Sequence, residues 1–208
     1  MSLSEQLRGV IFVMIGPGGA GKNAIMKAII AGFPNIRQLA TATSRPMRAD
    51  EKQGREHLFL SERDFKRMIE DGELLEHQEV TPGKFYGIPR ATVNEALAAG
   101  AARIADIEVL GAIELAAAFP RNVVQVFVTV PGDSVSDQLA LLRRRMQERA
   151  DRITDIEQRL ERARTLELPY RTRCDYIVVN DDLGQAIEAT AAIVRRELRA
   201  RHLLGEML

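Results

Sequence analysis

The sequence predicts an α/β fold with three layers, in which helices cover both faces of a parallel sheet. Short apolar runs rich in β-branched residues recur along the chain, and stretches with helical spacing lie between them. The run from Gly9 to Ile15 (GVIFVMI) is apolar at every position after the glycine, which is typical of a strand buried on both faces. Because strands that alternate with helices pair in parallel, we expect a single sheet to form the core.

The first strand leads into a helix predicted over 22–31, which the segment Gly32-Phe33-Pro34 ends. Further helices are predicted over 91–99, 112–119, 133–149, 153–168 and 183–201, and further strands over 102–107, 123–130 and 175–179. From Thr41 to Pro89 the sequence is instead polar, charged and irregular, and one helix is recognisable there, with Ser61 as its N-cap. This section and two charged helices near the end are predicted to be lobes inserted into the core.

Composition limits the classes of function that the chain can have. Lys and Arg together number 29, as do Asp and Glu, so neither a nucleic-acid coat nor a polybasic membrane anchor is expected. The single cysteine, Cys174, excludes an intrachain disulfide and suits a reducing compartment. No signal peptide and no apolar run long enough to span a bilayer is recognisable. We therefore expect a cytoplasmic protein that binds neither nucleic acid nor membrane.

A glycine-rich segment, GPGGAGKNA, joins the first strand to the first helix. Its spacing, Gly16-x-x-x-x-Gly21-Lys22, is that of a P-loop, and the flanking strand and helix are the context that this motif requires. Glycines let backbone N–H groups turn onto phosphate oxygens, the helix N-terminus adds positive potential, and Lys22 reaches the β and γ phosphates. The segment therefore predicts an ATP site formed by Gly16, Pro17, Gly18, Gly19, Ala20, Gly21, Lys22, Asn23 and Ala24.

Asn23 departs from this motif, because serine or threonine usually follows the lysine and its hydroxyl binds Mg²⁺. The side-chain oxygen of Asn23 can also bind a hard cation, although it is neutral, bulkier and placed differently. Ala24 removes a further hydroxyl that could contact phosphate. We expect Mg²⁺ to accompany the nucleotide and Asn23 to be one of its ligands.

Two arginines, Arg45 and Arg48, lie three residues apart in the segment TATSRPMR. On a loop opposite a P-loop, arginines suit bidentate binding of a second phosphate. Solvated surface arginines are the alternative interpretation, and it is the P-loop that favours binding.

These motifs together resemble the guanylate kinase family, the ATP-dependent kinases of GMP, from about Val10 to Arg196. GPGGAGK resembles the loop of that family, and ATATSRPMRADEKQGREHLF resembles its S-x-T-T-R-x-x-R-x-G-E-x-x-G-x-x-Y-x-F segment. LLEH with the later FYG, then DIEVLGA, then DYIVVNDD resemble three further segments in the same order. The resemblance implies one domain over 1–208, a P-loop NTPase core with an inserted GMP-binding lobe and a helical lid. The core would span about 9–42, 90–135 and 168–201, the lobe about 43–89, and the lid about 136–167.

The resemblance also implies roles for residues that bind the acceptor. Glu76 would accept hydrogen bonds from the guanine N1–H and N2 amino groups, a match that adenine cannot offer. Tyr86 would donate its hydroxyl to the GMP phosphate, and His57 stands where the family has a tyrosine with the same task. The GMP-binding residues implied in this way are Thr41, Arg45, Arg48, His57, Glu76, Tyr86 and Glu108.

On the donor side, the resemblance assigns three arginines of the charged helices to the lid. Arginine suits this place because phosphoryl transfer depends on positioning and on neutralising charge at the transferring group. Asp106 would organise the Mg²⁺ shell through water, and Asn180 would lie near the adenine. The catalytic residues implied in this way are Lys22, Arg48, Arg145, Arg149 and Arg159.

Several positions differ from the family pattern. Ile88 replaces a hydroxyl residue that helps to recognise the guanine oxygen, and Leu110 replaces a glutamine. Leu166 takes the place of a lid-helix acid, with Glu167 one position late. The segment from Glu76 to Tyr86 is one residue longer. These changes leave open a kinase of another monophosphate or of a phosphosugar, and a nucleotide-binding module that has lost catalysis. We expect ATP and GMP as small-molecule partners of a monomer or homodimer.

Overall fold

A computed structural model describes residues 8–49 and 51–203 of the chain, without the side chains of residues 80 and 81. Its strands are β1 Val10–Ile15, β2 Ile36–Gln38, β3 Thr41–Thr43, β4 His57–Phe59, β5 Leu74–Thr81, β6 Lys84–Pro89, β7 Ala102–Asp106, β8 Val123–Thr129 and β9 Tyr176–Val179. Its α-helices are α1 Lys22–Gly32, α2 Glu62–Glu70, α3 Arg90–Ala98, α4 Val109–Ala118, α5 Val135–Glu148, α6 Ile153–Arg162, α7 Leu168–Tyr170 and α8 Leu183–Ala200. Among these helices of the described chain, none is long and apolar enough to cross a membrane.

The main sheet has the strand order β2-β7-β1-β8-β9, and every neighbouring pair in it is parallel. Its central strand, β1, is fully buried. Phe12 and Met14 pack among residues of α1 and α8 on one face, whereas Val13 and Ile15 pack among residues of α3 and α4 on the other. Burial on both faces explains why this strand is apolar at successive positions. The predicted three-layer α/β fold is confirmed.

A second sheet, with the order β4-β3-β6-β5, lies in the part of the chain that the sequence indicated only as irregular around one helix. Its β5–β6 and β3–β6 pairs are antiparallel, and α2 packs Phe65 against Phe85 of β6. Ser61 caps α2 as predicted, accepting a hydrogen bond from the backbone N–H of Asp64. Strands with charged, partly exposed residues, such as LLEHQEVT, lack the apolar pattern that identifies buried strands, so sequence reasoning missed them.

The charged region after β8 is helical, as predicted. A capping box between Ser134 and Asp137 begins α5. The helix predicted over 153–168 is continuous but irregular, because a π-helical turn, Ala163–Glu167, separates α6 from α7. Such turns insert one residue into a helix and are frequent at functional sites.

Parallel pairing brings the functional segments to one edge of the main sheet. Met14, near the end of β1, is in register with Asp106, the last residue of β7. The P-loop follows the first of these strands and Glu108 follows the second, so both lie at the carboxyl edge, where open α/β sheets bind ligands.

Candidate active site

The P-loop between β1 and α1 has a positive φ, which favours glycine, at Gly16, Gly19 and Gly21. Gly16 has a φ of 137°, and a Cβ there would lie 2.0 Å from the carbonyl oxygen of Val128. Gly21 has a φ of 95° and precedes the first residue of α1, and a Cβ there would lie 2.2 Å from Asn180 Nδ2. The packed neighbours therefore fix the loop in the shape that points N–H groups at an anion.

Lys22 folds back over this loop. Its Nζ donates to the carbonyl oxygen of Gly16 at 2.5 Å, and it lies 3.7 Å from Asp106 Oδ1. The ammonium group is therefore held between the loop and the end of β7, where a phosphate bound on the loop would meet it. Burial raises the pKa of Asp106, and Lys22 acts in the opposite direction.

Asn180 connects the P-loop to the lid helices. Its buried amide donates from Nδ2 to the carbonyl oxygen of Ala20 at 2.7 Å. The backbone carbonyl oxygen of Asn180 accepts a hydrogen bond from Arg145 Nη2 at 3.0 Å. The side chain of Asn180 therefore holds the backbone of the P-loop at Ala20. The expected position of Asn180 beside the adenine stays a prediction.

The other two predicted lid arginines share one carboxylate that sequence reasoning did not single out. Asp151 Oδ2 accepts from Arg149 Nη2 at 2.8 Å and from Arg159 Nη1 at 2.9 Å. The aliphatic part of Arg159 also lies next to Gly18 of the P-loop. Asp151 lies between Arg149 and Arg159 in the sequence, and this local charge pattern was the signal that could have identified the cluster.

On the acceptor side, Arg45 is held by a second acid that sequence reasoning missed. The Glu51 carboxylate accepts from Arg45 Nη1 at 2.7 Å and from Nη2 at 2.5 Å, and also from the backbone N–H of Arg48 at 2.8 Å. The Arg45 guanidinium lowers the pKa of Glu51 to about 2. Arg45 is thus fixed in a bidentate pair, while the side chain of Arg48 is exposed.

His57, Thr41 and Tyr86 lie together behind these arginines. Thr41 Oγ1 and His57 Nδ1 are 2.7 Å apart, and the rings of His57 and Tyr86 are 6.1 Å apart. Burial, and then the charge of Arg45, lower the pKa of His57. Both effects favour the neutral imidazole, which joins β4 to β3 through its contact with Thr41.

Glu76 has the properties of a binding carboxylate. Its Oε1 is buried and has no hydrogen-bond partner among the described residues. Burial raises the pKa of Glu76. Its Oε2 lies close to Gly111 of α4, where an added Cβ would be 2.9 Å away, and Ile88 lies against the same glycine. A buried acceptor without a partner is costly, so this oxygen is suited to donors from a ligand.

Glu108 and Glu167 are joined by Arg162, a residue that the sequence did not single out. Arg162 Nη2 contacts Glu108 Oε2, and Arg162 Nε lies 3.7 Å from Glu167 Oε1. Burial raises the pKa of Glu167 to about 7, against the opposing effect of Lys22. Because Arg162 and Glu108 are far apart in the sequence, local charge spacing gave no signal for this contact.

The donor set fits a nucleotide-bound Mg²⁺. Asp106 presents a carboxylate that is one-third exposed at the end of β7, and Asn23 is exposed at the start of α1. Within the described residues, no cluster of three or more His, Cys, Asp or Glu side chains could hold a metal by itself. Mg²⁺ commonly takes one or two protein ligands and fills its shell with phosphate oxygens and water, so this arrangement suits it.

A P-loop at the carboxyl edge of a parallel sheet, with arginine clusters in the segments before β4 and after β8, is typical of phosphotransferases of the nucleoside monophosphate kinase class. Comparison with known sequences specifies the family. The guanylate kinase family model matches residues 8–197, and the chain belongs to this family.

Individual relatives agree with this assignment. A guanylate kinase from Maricaulis maris is 37% identical over 198 residues, which cover 94% of this chain and 87% of that protein. One from Thermotoga maritima is 35% identical, with 92% and 88% coverage. The solved guanylate kinase from Anaplasma phagocytophilum has a TM-score of 0.68 and 26% identity, covering 97% of this chain and 99% of that chain.

Proposed function

We propose that this protein catalyses the ATP-dependent phosphorylation of GMP to GDP, a step of purine nucleotide metabolism. The observation that carries the proposal is the buried, unpartnered Oε1 of Glu76, which lies beyond the P-loop at the junction of the second sheet and α4. Membership of the guanylate kinase family supports the same reaction. Small nucleotides are therefore the partners, and we propose a monomer or homodimer in the cytoplasm.

Guanine fits Glu76 because its N1–H and N2 amino groups are adjacent donors. Adenine offers no donor at N1, so its binding would leave the buried Oε1 of Glu76 without a partner, at a cost of about 1–3 kcal/mol or more for a charged group. The GMP phosphate would meet Arg45 and Arg48, with Tyr86 and His57 behind them. Thr41 and Glu108 would complete the pocket, within a lobe over 43–89.

Transfer needs positioning and charge neutralisation more than covalent chemistry. A phosphate oxygen of GMP would attack the γ-phosphorus of ATP while the bond to ADP breaks, with no enzyme-bound phosphate. Lys22 would hold the β and γ phosphates, and the lid over 136–167 would bring Arg145, Arg149 and Arg159 to the transferring group. When bound, Mg²⁺ would neutralise phosphate charge, with Asn23 and a water held by Asp106 in its shell.

An ADP-release assay across a panel of acceptors tests the proposal. The panel is GMP, AMP, CMP, UMP and a sugar phosphate, each with ATP and Mg²⁺. We expect turnover with GMP, lost selectively in Glu76→Gln, and retained in Glu73→Gln, a matched change at an exposed glutamate just before β5. Equal GMP turnover in both variants would contradict the assigned base site. Binding of ATP and GMP without ADP formation would instead identify a binding module.

A further inference from the structure

Arg162 lies where the lid meets the acceptor side of the site. It is the last residue of α6, directly before the π-helical turn, and its guanidinium lies between Glu108, which follows β7, and Glu167, which ends the turn. It also lines an open groove of about 580 Å³ together with Gln78 of β5, Leu110 of α4 and Leu166. Among the described residues of this groove, Arg162 is the only cation.

The guanidinium of Arg162 has N–H groups that make no hydrogen bond to a described residue. Nε and Nη2 are buried in ion pairs with the two carboxylates and have no other partner in the described chain. No hydrogen bond of Nη1 to a described residue is present either, and the side chain is 30% exposed. Two acids therefore balance the charge and hold the group in place, while N–H groups stay available for a ligand.

Among the described residues, position 88 offers no side-chain donor to the two acceptors, O6 and N7, of a bound guanine. Ile88 is buried to 97% beside Gly111 and Glu76, and it has no polar side-chain atom. With Glu76 taking the N1–H and N2 edge, the O6 and N7 atoms of the base need a donor from elsewhere. Arginine is the side chain that most often pairs with O6 and N7 of guanine, because its planar fork matches their spacing.

We propose that Arg162 recognises the O6/N7 edge of the acceptor base, supplying the hydrogen-bond donor that Ile88 cannot, with Glu108 and Glu167 as its positioning residues. This inference rests on the proposed GMP kinase activity. It makes guanine recognition depend on two opposite charges: the Glu76 carboxylate on the donor edge of the base and the Arg162 guanidinium on the acceptor edge. Adenine, with an amino group at C6, would meet Arg162 donor to donor. Arg162 thereby adds a second penalty against adenine.

The π-helical turn is what places the positioning residue. Glu167 lies five residues after Arg162, a spacing that a regular helix does not bring onto one face, whereas an inserted residue does. The π-helical turn also explains why Glu167 lies inside the site, where it is 8% exposed, although it comes one position after the acid of the family pattern in the sequence. The lid and the base pocket are connected through this pair of contacts.

Acceptor analogues combined with Arg162 variants test the inference. GMP, 6-thio-GMP and 7-deaza-GMP share the N1–H and N2 donors, but the second has a weak acceptor at position 6 and the third has none at position 7. In the wild type, we expect each analogue to have a higher KM than GMP. In Arg162→Gln, we expect the KM for GMP to rise by roughly fivefold to 150-fold, the effect of losing one bidentate pair, and the analogue penalties to disappear.

Three controls make the result decisive. Arg164→Gln removes an exposed arginine that lies two positions after Arg162 and is paired with Glu161, and it should behave as the wild type. The KM for ATP should be unchanged in Arg162→Gln, as expected of a folded protein with an intact P-loop. Arg162→Met, which keeps a long side chain but has no hydrogen-bond donor, tests the same penalties if the glutamine variant does not fold. A wild-type penalty for 7-deaza-GMP and 6-thio-GMP that is equally large in both Arg162 variants would overturn the inference. A wild type that does not turn over GMP at all would instead refute the proposed function.

Discussion

The proposed donor and acceptor sides of this site are built in different ways. The donor cradle is backbone, held from outside by packed neighbours such as Val128 and Asn180. The acceptor side consists of side chains from several elements, and its central carboxylate, Glu76, keeps a buried oxygen without a partner in the described chain. Backbone cradles bind any polyphosphate, whereas unsatisfied side chains select one base. We therefore expect phosphate binding and base selection to depend on different parts of the molecule.

We expect the largest effect from removing the Lys22 side chain, which lies over the backbone of the P-loop. Lys22→Ala should lower kcat by roughly 10² to 10³ or more, because the transferring phosphates lose a positioned charge. Lys27→Ala, an exposed lysine of the same helix, is the matched control and should retain activity. Steady-state ADP release measures both. Equal activity in the two variants would show that the loop is not the donor site.

A smaller change should affect the acceptor side alone. In Gly111→Ala, the new Cβ would lie 2.9 Å from Glu76 Oε2, so the carboxylate or the helix must move. We expect the KM for GMP to rise roughly tenfold, as overpacking of 1–3 kcal/mol would produce, with the KM for ATP unchanged. Gly32→Ala, where an added Cβ meets no atom within 4 Å, is the control. An equal rise in both KM values would mean that the two sides are not separable.

The same contrast explains what the sequence could and could not predict. The donor loop and its strand are local patterns, so the P-loop, β1 and α1 were all predictable from short segments. Glu51 and Asp151 lie close in the sequence to the arginines that they bind, so charge spacing could have predicted these pairs, but sequence reasoning missed them. The Arg162–Glu108 contact depends on how the lid meets the core, and no local pattern specifies it. The second sheet was missed because half-exposed strands carry no apolar periodicity.

The pH dependence of stability tests whether Glu167 belongs to the site as the structure shows. Its pKa is raised from 4.5 to about 7, so between these values the folded protein keeps a proton that the unfolded chain releases. Stability should therefore fall as the pH rises through this window, by on the order of 3 kcal/mol. Glu167→Gln should remove this part of the dependence, in urea unfolding at pH 5 to 8. Glu161→Gln, an exposed acid on the same helix, should leave it unchanged.

The smallest effect concerns the one residue of the donor loop that departs from its motif. Asn23 is neutral and bulkier than the usual hydroxyl residue, so we expect Mg²⁺ to be held less favourably than the backbone cradle holds phosphate. Asn23→Ser should lower the Mg²⁺ concentration for half-maximal rate by roughly twofold to tenfold, the size of one hydrogen bond or ligand contact. Ala24→Ser restores the neighbouring hydroxyl, which would contact phosphate, and should change the KM for ATP without moving the Mg²⁺ dependence. If Asn23→Ser leaves that dependence unchanged, the asparagine oxygen or a water already serves as the ligand, and the donor side is as well adapted to its metal as to its phosphates.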